Sequence, residues 1–149
     1  MPGVIKFDGD CLIVLRQSLL AVAPEEGCAL LLGDHQESSL DYKNTLLRIG
    51  FIWPCRNIWE PSMLNLVEEP LEIDTKNLSP LSRKTRFALD PREQFLAQKW
   101  ARNNNLKVLG SAHSHPKGDA KPSLIDQLWT FTPGLMVIVG GSGETSAWW

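Results

Sequence analysis

Between Gly27 and Gly33 the chain reads GCALLLG, five consecutive apolar residues closed by a glycine at each end. Successive side chains of a strand point to opposite faces, so a strand with one wet face alternates apolar and polar residues. This run does not alternate and reads as a strand covered on both faces. Such a strand belongs in a sheet with helices packed on it. Upstream, GVIKF (3–7) reads as a short strand. Asp10 caps a helix to about Val22, with Leu12, Leu15, Leu19 and Leu20 as its apolar stripe and Pro24 as its stop. Asp34 to Lys43 is polar and reads as a turn. Thr45 to Ile58 reads as a strand bent at Gly50.

Order is predicted again from Lys84. Lys84 to Leu89 reads as a strand. Asp90-Pro91 then starts a helix, with Asp as N-cap and Pro at the first helical position. That helix is predicted to run to about Asn103 with Phe95, Leu96 and Trp100 inward, and to end at Asn103-Asn104-Asn105. Lys107 to His113, Leu135 to Val139 and Thr145 to Trp149 read as strands, and Ser123 to about Phe131 as a short helix. The fold class is α/β (mixed α+β), a single mixed β-sheet flanked by helices. A chain of 149 residues fits one domain spanning 1–149.

Residues 59–82 stand apart. They hold Pro61, Pro70 and Pro80, and between Asn57 and Thr75 there are five acids and no Lys or Arg. The plain reading is a flexible, solvated acidic loop; the sharper one is a flap shaping a substrate groove.

Composition narrows the function. A net charge of -2 disfavours general nucleic-acid binding. No apolar run approaches the roughly 18 residues of a membrane span, so no membrane partner is expected. MPGVIKFDGD has no apolar signal core, which points to a cytoplasmic protein. Cys11, Cys28 and Cys55 form no CxxC element and read as reduced thiols. Without CxxC, a zinc deaminase, which needs H-x-E and a later P-C-x-x-C, is disfavoured.

The chemistry lies in GSAHSHPKGDAKPSLID, Gly110 to Asp126. His113 and His115, two apart on a strand, project their imidazoles to one side. Pro116 ends the strand, six residues form a loop, and Ser123-Leu124-Ile125-Asp126 opens a helix. Ser123 is a candidate N-cap, and the Asp126 carboxylate in the first turn can face back to the histidines. Two His and one Asp are three protein ligands, and a catalytic Zn2+ keeps its fourth position open. Alone, SxxD is a common capping motif and a strand-end His is more often a hydrogen-bonded residue. HxHP, the loop and SxxD together are far more specific. His35, in a polar turn, is left out. A hydrolase also needs a base from outside the ligand set. Glu26, entering the apolar strand, is the best candidate, because partial desolvation raises its pKa. Glu25 is its competitor.

These residues resemble the JAMM (MPN-plus) metallopeptidases, whose pattern is a Glu near the end of a first helix, HxHP, a short loop and SxxD. PEEGCALLLG resembles the family's P-x-E-x-C-G-L-L-x-G segment, which selects Glu26 over Glu25; Ala29 stands where glycine is usual. RFALDPREQFLAQKWARNNNLKVLGSAHSHP resembles the stretch leading to the site in small bacterial members. The likeness covers most of residues 4–140, outside the 59–82 loop. It implies a cytidine-deaminase-like sheet flanked by helices, and hydrolysis of an amide or isopeptide bond. Zn2+ would be held by His113, His115 and Asp126. Glu26 would be the base, and Ser123 would donate a hydrogen bond to the oxyanion. Only 23 residues follow Asp126, leaving little room there for an insertion. The substrate implied is the C-terminus of a ubiquitin-like or sulfur-carrier protein. The alternative is a non-catalytic scaffold that binds a protein partner, with Trp148 and Trp149 the best exposed candidates among six tryptophans.

Overall fold

A computed structural model describes residues 3–36, 46–66, 82–123 and 134–148. Within them a six-stranded mixed sheet runs β1 (Val4–Phe7), β3 (Leu46–Cys55), β2 (Cys28–Gln36), β4 (Lys107–His115), β5 (Leu135–Gly140) and β6 (Thr145–Trp148) in spatial order. Helices α1 (Cys11–Leu20) and α2 (Pro91–Asn103) pack on it. The pairs β1–β3 and β4–β5 are parallel and the rest antiparallel.

The unbroken apolar run is the inner strand expected of it. From β2, Ala29 and Leu31 face α1, where Leu15 and Leu19 are buried with Leu47, Ile49, Ala112 and Val137. Leu30 and Leu32 face α2. The strand continues through Asp34 to Gln36, paired with Arg48 to Leu46, so the first three residues of the expected polar turn are strand, and residues 37–43 of it lie outside the described residues. Main-chain bonds to β3 hold those polar residues in the sheet, which polarity alone does not reveal. Gly50 is the bend: Leu32 faces Phe51 and Gly33 faces Ile49, leaving Gly50 as the extra residue of a bulge.

Asp90 caps α2 through its side chain, which accepts from the Arg92 amide at 2.9 Å, with Pro91 at the first position. Asp10 sits at the N-cap of α1 without such a bond. The inward face of α2 differs from expectation. Phe95 is 62% and Leu96 48% exposed, whereas Ala97 and Ala101 are buried. Two alanines four apart lie on one helix face and let the helix approach Leu30 and Leu32 closely. Its rotation is further set by Trp53 Nε1 donating to Glu93 at 2.8 Å and by Trp100 packing 4.6 Å from Phe51.

Residues 84–89 are not a strand. Ser82 to Thr85 turn, and one antiparallel bridge, Asn57 to Leu89, joins this stretch to the chain beyond β3. Pro61–Leu66 of the acidic region forms a 3-10 turn; residues 67–81, and the helix expected over 123–131 beyond Ser123, lie outside the described residues. No described helix is long and apolar enough to cross a membrane.

Candidate metal centre

The site is built at the end of β4, where alternation sends neighbouring side chains opposite ways. Ser114 is fully buried and points toward α1. Its Oγ accepts from the Gly27 amide at 2.8 Å and donates to the Leu19 carbonyl at 3.3 Å, while its own amide donates to the Gly27 carbonyl at 3.0 Å. Gly27 has to be glycine, since a Cβ there would lie 2.7 Å from Leu19 Cα. Ser114 thus ties the start of β2 to the end of α1. We expect Ser114→Ala to leave a buried amide unsatisfied and to cost about 1–3 kcal/mol in urea unfolding; an unchanged midpoint would contradict that role.

His113 and His115 face the other way, toward the α2 side. His113 is fully buried, and its register neighbours are Cys28 on β2 and Ile138 on β5. Phe87 stacks on its ring with centroids 4.3 Å apart and planes 19° apart. The two Nε2 atoms are 3.1 Å apart. Two nitrogens bound tetrahedrally to one zinc would be separated by about 3.3 Å, given Zn–N of 2.0–2.1 Å. His115 Nδ1 lies 2.9 Å from the Asp119 carbonyl, which can only accept, so Nδ1 donates and the neutral ring presents the Nε2 lone pair.

The loop after Pro116 is well tied. Gly118 donates to the His115 carbonyl at 3.0 Å and accepts from the Gly141 amide at 3.0 Å. Ala120 is buried with Met136 and Ile138, and its carbonyl accepts from Ser146 Oγ. The same loop therefore orients His115 through Asp119 and docks on the turn between β5 and β6.

Glu26 is 6% exposed, just before β2. Cys28 pairs with His113 and the Ser114 amide bonds the Gly27 carbonyl, so Glu26 lies two residues beyond the position where β2 pairs with His113. Its amide donates to the Arg83 carbonyl at 2.7 Å and its carbonyl accepts from Asn57 Nδ2 at 3.0 Å. Glu25 is less buried. Ser123 is half-buried. Asp126 lies outside the described residues, and among those described there is no cluster of three or more His, Cys, Asp or Glu suited to a metal. The structure thus brings His113 and His115 together and sets Glu26 just before the adjoining strand β2.

Burial pushes the Cys28 thiol up to about 12, aided by Cys55 and Glu26 nearby. Burial likewise pushes Cys55 up to about 11, with Glu93 adding to it. All three cysteines are free thiols. A raised folded-state pKa favours the neutral thiol, so this stabilisation is complete below the ordinary value of 9.0 and is lost as pH climbs toward about 12. The urea midpoint is expected to fall across that window, and to fall less in Cys28→Ala.

Two residues at this site carry no motif. Phe87 reads as one more apolar residue of an expected strand, and Asn57 as the polar end of another. Their roles come from contacts with residues 26 to 31 positions away.

A family model described as prokaryotic homologs of the JAB domain matches residues 10–149. No curated protein matches the sequence. Among solved structures, a protein of Desulfitobacterium hafniense is 23% identical with a TM-score of 0.68, over 96% of this chain and 80% of that one. A protein of Salinibacter ruber is 28% identical with a TM-score of 0.56, again over 96% and 80%. A JAB1/MPN domain protein of Archaeoglobus fulgidus is 15% identical with a TM-score of 0.51, over 97% of this chain and 87% of that one. The described sheet and two helices match this JAB/MPN-type fold.

Proposed function

This chain belongs to the prokaryotic homologs of the JAB domain, and from that premise we propose that it is a zinc-dependent peptidase or isopeptidase. Its substrate is the C-terminal amide of a ubiquitin-like or sulfur-carrier protein. The observation that carries the reading is the pair of Nε2 atoms 3.1 Å apart, one of them held as a lone-pair donor by the Asp119 carbonyl. These residues fit zinc: neutral imidazoles are its common ligands, and a carbonyl on the far nitrogen is the usual way such a ring is oriented.

His113, His115 and Asp126 would hold the metal. When bound, zinc supplies a Lewis acid that makes water acidic near neutral pH and polarises the scissile carbonyl. Glu26, buried just before β2, accepts the proton from the attacking water and returns it to the departing amine. Ser123 donates its hydroxyl hydrogen to the oxygen that gains negative charge. Phe87 and the α2-side packing keep bulk water off the buried face of His113.

The test incubates the zinc-loaded protein with sulfur-carrier and ubiquitin-like proteins fused through their C-termini to a reporter, with and without a chelator. One zinc per chain and chelator-sensitive release of the carrier are expected. A chain that binds no zinc and cleaves no fusion, yet binds a protein partner tightly, would establish the non-catalytic scaffold instead.

A further inference from the structure

The Asn57 side chain makes five hydrogen bonds near the site, and nothing in the proposed reaction uses it. It is buried, with 9% exposure. Its Nδ2 donates to the carbonyls of Glu26 at 3.0 Å, Arg86 at 2.9 Å and, more weakly, Arg83 at 3.4 Å. Its Oδ1 accepts from the amides of Trp59 and Ala88, both at 3.1 Å. Arg86 and Ala88 flank Phe87. The Asn57 amide therefore pairs with the carbonyl before Phe87 and the N–H after it, as a neighbouring strand would. The same amide group grips the main chain of Glu26.

We propose that Asn57 is a positioning residue that fixes two parts of the site at once: the backbone of Glu26 and the Phe87 ring over His113. This rests on the proposed zinc-dependent hydrolysis. Asn57 touches neither the imidazoles nor the reacting atoms. A simple turn would need only the Trp59 bond, which spans two residues; the Glu26, Arg86 and Ala88 bonds span 29 to 31. The Glu26 amide, bonded to the Arg83 carbonyl at 2.7 Å, closes the link between both anchored segments. A group that has to take a proton within hydrogen-bond reach loses rate when its frame shifts by a fraction of an ångström.

Asn57→Asp tests this with little change of shape. It keeps the acceptor toward Trp59 and Ala88 and sets a second oxygen against the Glu26 and Arg86 carbonyls. Histidine ring protons of the zinc-loaded protein are followed by NMR. The stacked Phe87 ring shifts the His113 signals upfield, and Phe87→Leu identifies that shift by abolishing it. In Asn57→Asp we expect the shift to be lost, zinc to stay at one per chain, and kcat on the carrier fusion to fall about 10–100-fold with KM little changed. A retained shift, or an unchanged kcat in the presence of a lost one, overturns the proposal. Should the wild type cleave no fusion while the shift still depends on Asn57, the hydrolase reading fails and the Phe87 half of the positioning role stands. Asn57→Ser serves as second variant if Asn57→Asp does not fold. If neither folds, Asn57 is a stability residue and the proposal is overturned.

Discussion

Glu26→Gln is expected to lower cleavage of a carrier fusion by about 100-fold or more, in the range for loss of a general base, while fold and zinc content stay unchanged. Glutamine has nearly the shape of glutamate. Two bonds that hold this residue use its main chain, amide to Arg83 and carbonyl to Asn57, and both survive the exchange. What disappears is a proton acceptor at a buried position, where no solvent base readily substitutes. Zinc analysis and thermal unfolding of the variant separate loss of chemistry from loss of structure. Full activity would remove Glu26 from the role of base and make Glu25 the next acid to replace.

The second large effect concerns the proposed zinc. His115→Ala is expected to reduce bound zinc from one per chain to a small fraction after dialysis, and to abolish chelator-sensitive cleavage with it. Loss of partners that merely orient a ligand typically weakens metal binding 10–100-fold, and removing a ligand outright should exceed about 100-fold. His115 is the cleaner choice of the two. It is only partly buried, whereas His113 is fully enclosed under Phe87 between Cys28 and Ile138. His113→Ala should lose zinc as well, and unfold at lower temperature because its removal leaves a cavity. Equilibrium dialysis against zinc at fixed pH measures both. Retention of one tightly held zinc in His115→Ala would mean that the 3.1 Å contact between the two rings is a plain hydrogen bond.

Much of this arrangement is legible in the order of residues, and the reason is periodicity. Side chains two apart on a strand share a face, so His-Ser-His implies paired imidazoles wherever that strand ends. Five apolar residues in a row imply a strand covered twice, and Asp-Pro implies a helix start; both are found where expected. Periodicity says which residues travel together. It does not say which face of an element meets the sheet. On α2 the larger side chains suggest an inward Phe95 and Leu96, but close approach over Leu30 and Leu32 favours the Ala97 and Ala101 face. Nor does it register bonds from side chain to distant main chain. Ser114 gripping Gly27 and Leu19, Asn57 bracketing Phe87, and Phe87 stacked on His113 are decided only once the sheet has brought together segments far apart in the chain. Local pattern thus specifies the chemical groups and their spacing, while long-range packing and hydrogen bonding specify what holds them still.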